Sequence, residues 1–193
     1  MLEMIELFSK PSLTSDSLAA FFNQTHRANR KWWLDPHTGL ALTKRNRGEM
    51  IALMHSELSE AWEGVKAGSA DDHLPQYPSL DVEIADMCIR LGDYAGGLKI
   101  SLHDFNNLPA RFSNNFSIAE FILDLHEFLS RLMEAERKEM PQAPVIVELF
   151  AYMYDRRSSF PDLDTIIEAK MAYNAERADH KLENRIKEGG KKI

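Results

Sequence analysis

Two stretches, HSELSEAWE at residues 55–63 and DVEIADMCIRL at residues 81–91, decide how this chain folds. Each carries two carboxylates spaced i,i+3: Glu57 with Glu60, and Glu83 with Asp86. That spacing puts both members of a pair on one face of an α-helix, one turn apart. The surrounding positions are apolar over a broad arc. Ile51, Leu53, Met54, Leu58, Trp62 and Val65 supply it in the first helix, and Leu80, Val82, Ile84, Ala85, Met87, Cys88, Ile89 and Leu91 in the second. Helices so widely apolar are largely buried, so their carboxylates point into an interior cleft. Four such groups repel one another and lose hydration unless they protonate or meet a cation. A hard divalent ion taking oxygen ligands answers both problems: Mg²⁺ first, with Mn²⁺ able to substitute. Acidic pairs at this spacing are also common on solvated helix faces, and two pairs on consecutive helices leave the two readings evenly matched.

Outward from these helices the chain stays helical in pattern. Residues 15–33 read as a first helix, with Leu18, Phe21, Phe22 and Thr25 on one face. The second runs from about 43 to 67 and stops at Gly68. The third covers 80–95, capped by Ser79 and ended by Gly96-Gly97. Residues 103–116 read as a linker rich in asparagine. Ser117 and Glu120 then make a capping box ahead of an apolar stripe, Ile118 to Met133. After PQAP at 141–144, residues 145–157 predict a short helix, although the β-branched VIV allows a strand. A last helix spans about 163–179. The expected fold class is all-α, a helical bundle. No repeat, dinucleotide fingerprint or Walker sequence is present, and no histidine follows an acidic residue by three, which disfavours a di-iron bundle.

Composition narrows the chemistry. Among 193 residues, 23 Lys and Arg stand against 30 Asp and Glu, a net charge of −7, which argues against binding a nucleic acid polymer through its phosphates. The single cysteine, Cys88, excludes a disulfide framework and a cysteine zinc cage, and it sits in an apolar run as a core residue. The opening MLEMIELFSKPSL lacks a basic n-region, and no apolar run reaches the roughly 20 residues of a membrane helix. These features predict a cytoplasmic protein without a membrane partner.

ELSE at 57–60, a 22-residue spacer and EIAD at 83–86 resemble the ExxE…ExxD pattern of the all-α nucleoside triphosphate pyrophosphatases. That superfamily holds MazG, the dimeric dUTPases and the HisE-type enzymes, and the chain looks most like the MazG-like proteins of bacteria and phages. Three stretches carry the likeness: GEMIALMHSELSEAWEG at 48–64, DDHLPQYPSLDVEIADMCIRLGDYAGGL at 71–98, and KMAYNAERADHKLENRIKEGGKK at 170–192. Ser56 stands where the EExxE form of the motif has its leading Glu. The resemblance implies a single domain over 1–193, with a core at 15–100 and 163–180, a helical insertion at about 104–162 and a basic tail at 181–193. It also implies a homodimer or homotetramer, and the uncommitted stripe of 118–133 offers surface for one.

On the last helix Lys170, Asn174 and Arg177 share one face at i, i+4 and i+7. Read alone they suit either triphosphate oxygens or a solvated basic face. The resemblance favours phosphate; in the tail, Lys191 with Arg185, Lys187 and Lys192 either closes over the substrate or belongs to a simple disordered tail. The resemblance also places the nucleobase beside the first helix, where Asn23, His26, Asn29 and Trp33 are candidates, with Trp32 adjacent. Arg90 reads as a neutraliser of Asp86 and Asp93, Glu63 as exposed, Met54 and Trp62 as packing, and His55 as turned away from Glu57. The expected activity is Mg²⁺-dependent hydrolysis of a (d)NTP to (d)NMP and pyrophosphate, with Glu57, Glu60, Glu83 and Asp86 holding metal and one glutamate orienting water. The alternatives are a non-catalytic nucleotide-sensing or partner-binding module, and a narrower dUTPase or phosphoribosyl-ATP pyrophosphatase.

Overall fold

A computed structural model describes residues 6–102 and 116–187, in which seven α-helices form. They are α1 (Ser15–Asn29), α2 (Arg47–Ala67), α3 (Ser79–Gly97), α4 (Ile118–Arg137), α5 (Ala143–Asp155), α6 (Leu163–Glu176) and the single-turn α7 (Leu182–Arg185). Among the described residues there is no strand, only two isolated bridges, Leu34 with Ala41 and Ala70 with Pro78. None of the described helices is long and apolar enough to cross a membrane.

The ends follow local chemistry. Thr14 caps α1 and exchanges hydrogen bonds with Ser17, as Ser117 does with Glu120 at α4. The side chain of Asn46 accepts from the Glu49 N–H, so α2 begins at Arg47 rather than near Thr43. Gly68 closes α2 in the left-handed region at φ 59°. Ser79 is the first residue of α3, not its cap; Pro78 precedes it. Residues 145–155 are helical, which settles the strand alternative there. The last long helix ends at Glu176, and residues 30–33 tighten into a 3₁₀ turn instead of continuing α1.

α3 is the central helix, flanked by α1, α2 and α6. It ends at Gly97, so the Gly96-Gly97 pair forms its last turn. Their role is close approach: a Cβ on Gly96 would sit 2.3 Å from the Phe22 carbonyl oxygen, and one on Gly92 2.4 Å from Thr25 Oγ1. Both glycines let α1 lie almost backbone to backbone on α3.

α4 packs on the opposite side of α2, and α5 against α4. The stripe of α4, with Phe121, Leu125 and Leu129 fully buried, is therefore covered within one chain and is not left over for a second copy. Phe150 of α5 meets Phe21 and Phe22 of α1 at ring distances of 5.6 Å, so residues 118–155 share one core with α1 and α3. Cys88 and Met54 are fully buried in it, whereas Trp62, expected to pack, is exposed. His55 turns onto α4, where its Nδ1 lies 2.8 Å from Nδ1 of His126.

Candidate functional site

Between α2, α3 and α6 lies a cavity of about 240 Å³. Glu57, Glu60, Glu83 and Asp86 line it from α2 and α3, and Lys170, Asn174, Arg177 and His180 from α6 and the turn beyond. The i,i+3 spacing on two facing helices brings one carboxylate oxygen each of Glu57, Glu60 and Glu83 within 4.8 Å of one another. Glu57 and Glu83 are buried, while Glu60 is exposed at the mouth. Burial pushes the Glu83 carboxyl up to about 9, and the negative neighbours Asp86 and Glu57 add to it against the pull of Lys170. The donor set is all oxygen, anionic and convergent, so it fits a hard divalent ion.

Asp86 stands apart from this trio. Its Oδ2 lies 3.0 Å from Lys170 Nζ, and its Oδ1 accepts weakly from Asn174 Nδ2 at 3.5 Å. Burial raises the Asp86 carboxyl, with Lys170 and Arg90 working the other way. Lys170 is 3% exposed and lies 4.0 Å from buried Asp71, a residue that sequence spacing did not single out. Burial disfavours its charge, but Asp86, Glu83 and Asp71 together outweigh that and hold the ammonium above its ordinary value. Lys170 is thus no part of a solvated face. Arg177 is held by Asp179 through bonds of 2.8 and 3.1 Å.

Arg90 favours the charged form of Asp86, as its position suggests, but its hydrogen bond goes elsewhere: its Nε donates to Glu57 Oε1 at 2.6 Å. One oxygen of Glu57 is thereby fixed, which orients the carboxylate toward the cavity. Glu63 is exposed and paired with Lys66, away from the trio.

The far end of the cavity is made by Asn29, Trp32, Arg45, Met50, Leu53, Ile89 and Asp93. Of the expected base-side residues, only Asn29 lines it. Asn23 is exposed on α1. His26 and Trp33 sit behind, where His26 Nδ1 lies 2.9 Å from Asp93 Oδ1 and Trp33 Nε1 donates to the same oxygen at 2.8 Å. The ring of Trp33 covers the bare Cα of Gly97, which accounts for its departure from the cavity. Trp32 takes its place on the lining, with His180 edge-on at 5.1 Å and the Arg185 guanidinium 4.5 Å above its ring. Arg185 also donates to the Lys31 carbonyl at 2.6 Å, so the segment after α6 folds back over the end of α1. Lys191 lies outside the described residues. Asp71 and Asp93 gave no spacing signal for the site, because the site groups they meet, Lys170 for Asp71 and His26 and Trp33 for Asp93, are distant in sequence.

Comparisons with protein-family models, with curated proteins and with solved structures return no match.

Proposed function

We propose that the protein is a divalent-metal-dependent nucleoside triphosphate diphosphohydrolase of the MazG-like all-α type, converting a (d)NTP to (d)NMP and pyrophosphate. The observation that carries this reading is the convergence of Glu57, Glu60 and Glu83 within 4.8 Å, in a cavity that also holds Lys170, Asn174 and Arg177. Acidic groups for a cation and cationic groups for an anion share one enclosure, as a metal–triphosphate substrate requires. Bound at the trio, Mg²⁺ or Mn²⁺ would supply charge neutralisation along the phosphate chain and a more acidic water. Glu57, fixed by Arg90, and buried Glu83 would hold the ion. Exposed Glu60 would orient the attacking water at the mouth and accept its proton. Arg177 would meet the charge growing on the leaving pyrophosphate. Lys170 holds Asp86 and reaches phosphate only if substrate competes for its ammonium.

The homodimer or homotetramer rests on the family likeness alone now that α4 is covered in cis; light scattering on the purified protein reads it. The function itself is tested with a panel of common NTPs and dNTPs, incubated with Mg²⁺, Mn²⁺ or EDTA and resolved by chromatography. Monophosphate and pyrophosphate, silenced by EDTA, are expected. Nucleotide bound but not cleaved would favour the sensing module instead.

A further inference from the structure

Asp93 is 7% exposed, lies on the cavity lining, and belongs to none of the roles above. Both of its hydrogen bonds, from His26 Nδ1 and Trp33 Nε1, fall on Oδ1. Oδ2 has no hydrogen-bond partner among the described residues. An indole N–H can only donate, so Trp33 holds Oδ1 as an acceptor. Arg45, also on the lining and stacked at 5.5 Å over the Trp33 ring, places positive charge nearby. The side chain is therefore braced on one oxygen and leaves the other open to the cavity, where a bound ligand's donor can reach it.

Its position says what that donor belongs to. Asp93 follows Asp86 by seven residues on the same helix face, about 10 Å along α3 at the α-helical rise. That is roughly the span from a nucleotide's α-phosphate to the outer edge of its base. The lining that Asp93 shares also carries the apolar and aromatic side chains of Met50, Leu53, Ile89 and Trp32. Resting on the nucleotide reading above, we propose that Asp93 is the base-specificity determinant, and that its Oδ2 accepts from the exocyclic amine of cytosine or adenine. Uracil and thymine present a carbonyl at that edge, which a carboxylate oxygen repels. Asn29, on the same lining, spends one amide N–H on the Thr25 carbonyl and keeps the second for the ring nitrogen beside the amine.

The test compares kcat and KM for dCTP against dUTP, and for dATP against the deoxynucleotide of unsubstituted purine, which lacks the amine. Wild type is expected to favour the amine-bearing member of each pair by about tenfold or more in kcat/KM, because the rejected analogue leaves a buried acceptor unpaired. Asp93→Asn keeps an oxygen for His26 and Trp33 but exchanges Oδ2 for a donor. It is expected to narrow or invert the dCTP/dUTP ratio, mainly through KM. Wild-type indifference within both pairs overturns the inference and leaves the hydrolase reading standing, and it needs no variant to fold. Equal loss on all substrates in Asp93→Asn, with a lowered Tm, reduces Asp93 to a brace for His26 and Trp33 and likewise overturns it. No turnover of any nucleotide by wild type overturns the hydrolase reading and this inference together.

Discussion

Lys170 Nζ and Asp86 Oδ2 are 3.0 Å apart, with side chains only 4% and 14% exposed. A charge pair this sheltered is hard to break from one side. Lys170→Met leaves Asp86 and Asp71 without their cation and is expected to destabilise the fold by about 3 kcal/mol. In a protein of this size that is roughly 6–12 °C in Tm. Mg²⁺ should recover part of the loss by taking over as counterion, and thermal melts with and without it read both effects. An unchanged Tm would show that the pair is not closed in solution.

Glu60 differs from its partners in being exposed. Glu60→Gln is therefore expected to leave Tm and helix content unchanged while lowering kcat by about 100-fold or more. Asp86→Asn should also abolish turnover, but with a change in Tm, since it weakens the bond to Lys170. Near-normal activity in both variants would sink the assignment of the acidic site.

Glu83 sets a pH dependence with a definite sign. Its folded pKa, about 9, lies above its ordinary value of 4.5, so the folded state holds a proton that the unfolded chain releases. Without a divalent ion, stability is full below about 4.5 and falls as pH rises from there toward 9. Metal binding needs the carboxylate, so stabilisation by Mg²⁺ should grow over the same window, reaching about 2.7 kcal/mol at a hundredfold excess over Kd. Glu83→Gln should flatten the pH slope and erase the Mg²⁺ shift. Melts at pH 6 and pH 8, with Mg²⁺ or EDTA, check this.

The helices carrying the acidic residues were legible because i,i+3 spacing and a wide apolar arc are local properties of the chain. The same locality explains the misreadings. Gly96-Gly97 announced the end of α3, which it is, but not that the same pair lets Phe22 and Trp33 lie against it. Trp33 looked as available as Trp32, and Gly97 and Asp93, both remote in sequence, draw it out of the cavity. The stripe on α4 announced that it would be buried, but nothing in its periodicity said that α2 of the same chain would bury it. Arg90 found Glu57 on the neighbouring helix, a partner 33 positions away.

Lys170 and His180 reach the cavity from the last helical stretch, after α2 and α3 have already been made. During synthesis Asp86 therefore precedes the ammonium that neutralises it by 84 residues, from position 86 to position 170. A nascent or prematurely terminated product ending before α6 carries the carboxylates but not Lys170, so the hydrophobic pairing of α2 with α3 must proceed against their repulsion. The pocket closes only when α6 arrives, because Lys170, Asn174 and Arg177 supply the side of the lining that faces the carboxylates.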